Sequence, residues 1–186
     1  MGYQNIQLDF KAAVDVPRWA FRFYLHHFLW IAGLSVIPSI ERFIVLFFSP
    51  DWSNTTVILL EVLVESLRFL VLWFIIKLSI LRDERLRKIS GQEQWVRIKS
   101  FVKHRWLSLV FQLIFMIIAT LVFDVFLEKV VGSQISEQVR DQYLGVLLAI
   151  KNPTVIAWFL IWLVGIPRQM MLYPPAASSN HQYVSV

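Results

Sequence analysis

The sequence predicts an all-α, polytopic membrane protein with about four transmembrane helices and an amphipathic helix in a cytoplasmic loop. Three observations carry that prediction. Of the 186 residues, 57% are hydrophobic and 17% charged, whereas ordinary soluble domains run about 45–50% apolar and about 25% charged. The apolar residues stand in blocks of bilayer-spanning length instead of being dispersed as a soluble core requires. The bases gather between the blocks, eight of the eighteen Lys and Arg falling in one loop.

Residues 1–27 form a cytoplasmic N-terminal segment and interfacial helix, with no apolar run long enough to act as the core of a cleaved presequence. Crossing ~30 Å of hydrocarbon takes about 20 predominantly apolar residues in a helix. Phe28–Phe48 meets that requirement, as do residues 55–81 and 106–127. A fourth span lies within residues 144–173, and the four-helix domain as a whole covers residues 28–173. Asp51 and Asn54 read as a short turn and N-cap before the second span. Residues 174–186 are uncharged, rich in Ser, Pro and Ala, and read as a disordered cytoplasmic tail.

Basic residues set the orientation. Lys11, Arg18 and Arg22 precede the first span. The loop at 82–105 carries Arg82, Arg85, Arg87, Lys88, Arg97, Lys99, Lys103 and Arg105 against Asp83, Glu84 and Glu93, a net charge of +5. The other side of the membrane holds Lys129 and Arg140, with Lys151 ambiguous. Both termini and the basic loop are therefore expected in the cytoplasm, and the chain in a plasma membrane.

Within the basic loop, Ser90 and Glu93 have the spacing of a capping box. The helix they start meets no Pro and no further Gly until Gly132, so it runs on into the third span. Trp95, Ile98, Val102 and Trp106 share one stripe of it. Arg97, Lys99, Lys103 and Arg105 form a basic face suited to an anionic leaflet or to a cytoplasmic partner. Nucleic acid is not an expected partner, because a basic loop held at the bilayer is already accounted for by topology.

The fourth block contains Lys151, Asn152 and Pro153. Proline removes a helical donor and crowds the preceding turn, and a lysine at mid-bilayer costs about 2.5–3.5 kcal/mol. One arrangement makes Asn152 an N-cap with Pro153 at the first helical position. The span then begins at Thr154, and residues 134–150 lie as an amphipathic helix at the outer interface. The other arrangement is a discontinuous helix broken at depth, as in transporters.

Ionisable residues inside the other spans are costly in lipid and mark either structure or function. Glu41 and Arg42 lie in the first span, Glu61, Glu65 and Arg68 in the second, and Asp124 near the end of the third. Glu61, Glu65 and Arg68 share a helix face. These six residues are expected to form a cluster in the outer half of the membrane. Its two readings are ion pairing, with Arg42 meeting Glu61 or Glu65 across helices and Arg68 meeting Glu65 on its own helix, and a cation or proton site built on Glu61 or Glu65.

The chain has no cysteine, which removes thiolate metal sites, disulfides and thiol nucleophiles. It carries no HExxH, GxSxG, Walker A or GxGxxG pattern. His26 and His27 are adjacent and read as interfacial polar residues. No catalytic residue, metal or cofactor is expected. The functional expectation is a small integral membrane protein acting as a non-catalytic accessory, assembly or immunity-type subunit of a membrane complex. It would contact the lipid bilayer and another membrane protein or a second copy of itself. The alternative is an oligomeric transporter or channel subunit using the outer acidic cluster, and a lipid-modifying enzyme ranks last.

Overall fold

The computed structural model describes residues 3–48 and 52–174, without the side chains of residues 3, 41–43 and 45–48. Among the described residues the chain is helical nearly throughout and contains no strand. Helix α1 (Tyr3–His26) turns by 89° at His27 into α2 (Phe28–Phe48). Helix α3 (Asn54–Ile76) ends in a π turn (Lys77–Leu81). After the short α4 (Glu84–Arg87) come two long helices, α5 (Gly91–Gln134) and α6 (Glu137–Leu172), joined by a tight turn.

Helices α5 and α6 are each long and apolar enough to cross a membrane, and the bent α1–α2 pair adds a third crossing if it is taken as one span. Helix α3 falls short of that standard because Glu61, Glu65, Arg68 and Lys77 interrupt its apolar run.

Local chemistry explains the helix starts. The Ser90 hydroxyl accepts from the backbone N–H of Glu93 at 3.2 Å and starts α5, as the capping box predicts. The helix continues through Gly132, with one non-helical residue, Arg105 (φ −130°, ψ 23°). The cap of α3 is Ser53, whose hydroxyl accepts from Thr56 N–H, so Asn54 is the first helical residue and not the cap. Asp51 lies outside the described residues.

The fourth block departs from both sequence arrangements. Asn152 has helical dihedrals (φ −58°, ψ −55°), where an N-cap would be extended. The helix does not break but absorbs Pro153 in a π turn, Asn152–Ile156. A π turn widens the ring by one residue, which accommodates the missing proline donor without ending the helix. Residues 137–151 are therefore the first part of α6 and not a separate interfacial helix.

The core forms where α1, α3 and α6 meet. Along α1, Asp9, Ala13, Val16, Ala20 and Tyr24 are buried at intervals of three and four, a helical stripe. That stripe lies along α6 in antiparallel sense. Ala12 accepts from Gln169, Pro17 from the Trp158 indole, and Pro153 from the Tyr24 hydroxyl. Gly165 permits the approach: a Cβ there would sit 2.8 Å from Val16 and from the Trp19 ring. Residues 3–26 are thus packed as part of the bundle. On the other side, Trp30 of α2 meets Phe74 of α3, and Ser35 and Pro38 face Arg68 and Val71.

Candidate functional site: two ionic layers and a cleft

Helices α5 and α6 carry a layer of paired charges near each end of their apolar stretch. In the first, Arg105 donates to Asp9 of α1 at 3.0 Å, and the Asp9 side chain is only 1% exposed. Beside it Arg168 of α6 donates to Asp83 at 2.6 Å and to the Ser79 carbonyl at 3.2 Å, the latter at the π turn that ends α3. The Arg168 guanidinium also lies 4.5 Å from the centre of the Trp19 ring, a cation–π contact. Arg85 contacts the same Asp83 more loosely, at 3.3 Å. Burial alone would raise the Asp83 carboxyl. The hydrogen bonds from Arg85 and Arg168 outweigh that and hold it below the ordinary carboxylate value.

The second layer is simpler. Lys151 of α6 bonds to both Asp124 and Glu128 of α5. The two acids are one helical turn apart and sit in the π segment Leu121–Val131. Two further side chains hold this end of the hairpin. Arg140 donates to the carbonyls of Gly132 and Ile135, and the Tyr143 hydroxyl donates to the Leu127 carbonyl at 2.8 Å.

Depth follows from helix rise. At ~1.5 Å per residue, Arg105 to Asp124 is about 28 Å of helix and Lys151 to Arg168 about 26 Å. The apolar slab between the layers matches a hydrocarbon core of ~30 Å. Amides tie the helices beside the first layer: Gln112 of α5 donates to Gln169 of α6, which donates to Ala12 of α1. A small cavity of about 20 Å³ lies between α2, α3 and α6, lined by Ser35, Pro38, Arg68 and Asn152.

Beside the first layer a cleft of about 540 Å³ opens between α1, α4, α5 and α6. Arg85, Arg105, Arg168 and Asp15 line it, together with Trp19, Phe101 and Tyr173 and apolar residues that include Leu8, Val16 and Leu172. Its volume is in the range of small-molecule sites.

The residues singled out from sequence distribute as follows. Arg68 pairs with Glu65 on its own helix. Glu61 and Glu65 lie on an exposed face of α3 with Ile58, Val62 and Phe69. Asp124 does not join them; it belongs to the Lys151 layer. The expected six-residue cluster is therefore divided, because Lys151 stands opposite Asp124 once α6 runs unbroken. The side chains of Glu41 and Arg42 lie outside the described residues. On the basic face, Arg97 pairs with Glu93 at 2.7 Å and Lys99 stacks over Trp95, while Lys103 is exposed. Arg105 leaves that face. Its non-helical backbone turns the side chain inward to Asp9.

Sequence reasoning missed Asp9, Gln112, Gln169 and Gly165 as structural residues, because nothing local to them signals their partners. Glu128 was legible one turn beyond Asp124. No family model matches the chain, and no curated protein or solved structure is detectably similar to it.

Proposed function

We propose that this chain is a small four-crossing protein of a plasma membrane that acts as a non-catalytic accessory or assembly subunit. Both termini and the basic loop face the cytoplasm in this reading. The crossings are the bent α1–α2 pair, α3 with its π turn, α5 and α6. Direction alternates outward, inward, outward, inward, which returns the C-terminus to the side of the N-terminus. The layer at Arg105 and Arg168 is then the inner one, since it adjoins the loop with net charge +5.

The observation that supports an accessory role is the use made of the charges. Asp9, Asp83, Arg105, Arg168, Lys151, Asp124 and Glu128 are engaged in ion pairs, most of them between separate helices. Such pairs fix helix register. The cavity within the slab, about 20 Å³, has room for about one water. Within the expected acidic cluster, Asp124 is held by Lys151 and Glu65 by Arg68. Meanwhile the exposed apolar face of α3 and the basic face at Arg97, Lys99 and Lys103 are available to a membrane partner.

Two measurements test the proposal. Purification in mild detergent at natural abundance is expected to return a stoichiometric membrane partner. Changing Arg97, Lys99 and Lys103 together to Gln should weaken that complex without loss of helicity. Reconstituted alone, the chain should pass no ions. A sustained flux that is abolished by Glu65→Gln contradicts the accessory reading and favours the channel alternative.

A further inference from the structure

The cleft at the basic end has a composition that accessory packing does not require. Its wall carries guanidinium groups with donors to spare. A guanidinium offers five N–H donors in a planar fork. Arg105 gives one to Asp9. Arg85, on the rim with its side chain 68% exposed, donates from Nε and Nη2 to Asp83, both at 3.3 Å, and that carboxylate also accepts from Arg168 at 2.6 Å. Arg85 is therefore the most exposed of the three cations, and its remaining N–H groups are free for a ligand. Forked donors of this kind suit phosphoryl oxygens.

The opposite sign is represented on the cleft wall as well. Asp15 of α1 lines the same space, where a site for a purely anionic group would place no carboxylate. Trp19 and Tyr173 supply amphipathic rings that favour the membrane interface. The floor at Val16, Gly165 and Leu172 is continuous with the apolar slab. A ligand fitting all three features has a phosphoryl group, a cationic group a few atoms away, and an apolar tail.

We propose that this cleft binds the head group of an aminophospholipid, with its phosphodiester against Arg85 and Arg105 and its primary amine against Asp15. The inference rests on the reading that the basic end lies at the cytoplasmic leaflet. It adds a specific ligand to that reading. Arg105 also holds Asp9, so its replacement would disturb the fold. Arg85 and Asp15 sit at the open side, and Arg85→Ala leaves Asp83 with its shorter bond from Arg168.

The test is native mass spectrometry of the full-length chain in detergent, titrated separately with phosphatidylethanolamine, phosphatidylglycerol and inorganic phosphate. The native chain should retain one phosphatidylethanolamine, at least fivefold in preference to phosphatidylglycerol, and inorganic phosphate should neither bind nor displace it. Arg85→Ala should weaken retention of both lipids about tenfold, the loss of roughly one charge-assisted hydrogen bond. Asp15→Asn should abolish the preference while leaving phosphatidylglycerol binding intact. Equal retention of the two lipids by the native chain overturns the proposal. Displacement by inorganic phosphate at millimolar concentration also overturns it, by assigning the cleft to a soluble anion. Because the titration is done in detergent, it is blind to topology, and a negative result leaves the membrane orientation to be judged by labelling.

Discussion

The two ionic layers do different work. The layer at Arg105 and Arg168 joins parts of the chain that are far apart in sequence: Asp9 with Arg105 and Asp83 with Arg168. Three of its four partners have side chains no more than 11% exposed, and Arg105 is 23% exposed. The layer at Lys151 joins only the two arms of one hairpin, and its acids remain 47% and 28% exposed. The first layer therefore fixes which helices are neighbours. The second holds a turn that the adjacent backbone contacts of Arg140 and Tyr143 already secure. The number of ion pairs does not set a layer's structural weight: burial and sequence separation decide it.

The largest loss is expected for Asp9→Ala, which leaves Arg105 without its carboxylate. Removing one member of a buried pair costs about 3–5 kcal/mol. We expect about 3 kcal/mol here, read as a lowered unfolding midpoint in detergent, since Arg105 keeps some access to water. The double change Asp9→Ala with Arg105→Ala should recover part of the loss. Next comes Gly165→Ala on the same seam. The added methyl meets Val16 and Trp19 at 2.8 Å, and overpacking of this kind costs about 1–3 kcal/mol. Lys151→Met should cost less, about 1.5 kcal/mol, the worth of a hydrogen bond to a charged group. Adding Asp124→Asn should offset part of it by removing one of two adjacent carboxylates. If Lys151→Met proves more damaging than Asp9→Ala, the ranking of the layers is wrong.

The smallest effect is in pH dependence. The folded Asp83 carboxyl titrates below its ordinary value, so the stability it contributes is fully present above the unfolded value of about 3.9. That stability is lost as pH falls from there through the lower folded value. Unfolding curves between neutrality and about pH 4 should thus show no Asp83 component. Below that, the native chain should lose stability that Asp83→Asn lacks at every pH.

Much of this was legible in the sequence, for identifiable reasons. Apolar blocks of fixed length carry the all-helical reading. The start of α5 at Ser90 was legible because a capping box is a local signal, with donor and acceptor three residues apart. The continuity of α6 was not. Lys151, Asn152 and Pro153 resemble a break, and only the opposing Asp124 and Glu128 make an unbroken helix affordable. The Asp9–Arg105 pair is 96 positions apart in the chain, and no periodicity reports a contact at that distance. Similarly, a kink at one residue, Arg105, removed it from the basic face to which its helical position assigned it.

In the proposed topology the apolar slab between the two layers lies in a bilayer with the basic end inside. The natural absence of cysteine makes single-cysteine labelling of intact cells a direct measurement of it. A membrane-impermeant maleimide should modify Ser136→Cys, at the turn between α5 and α6, from outside. It should modify Lys88→Cys only after lysis and Ile117→Cys, mid-slab, in neither condition. Modification of Ile117→Cys by the aqueous reagent in a folded chain, or of Lys88→Cys in unbroken cells, would contradict the account.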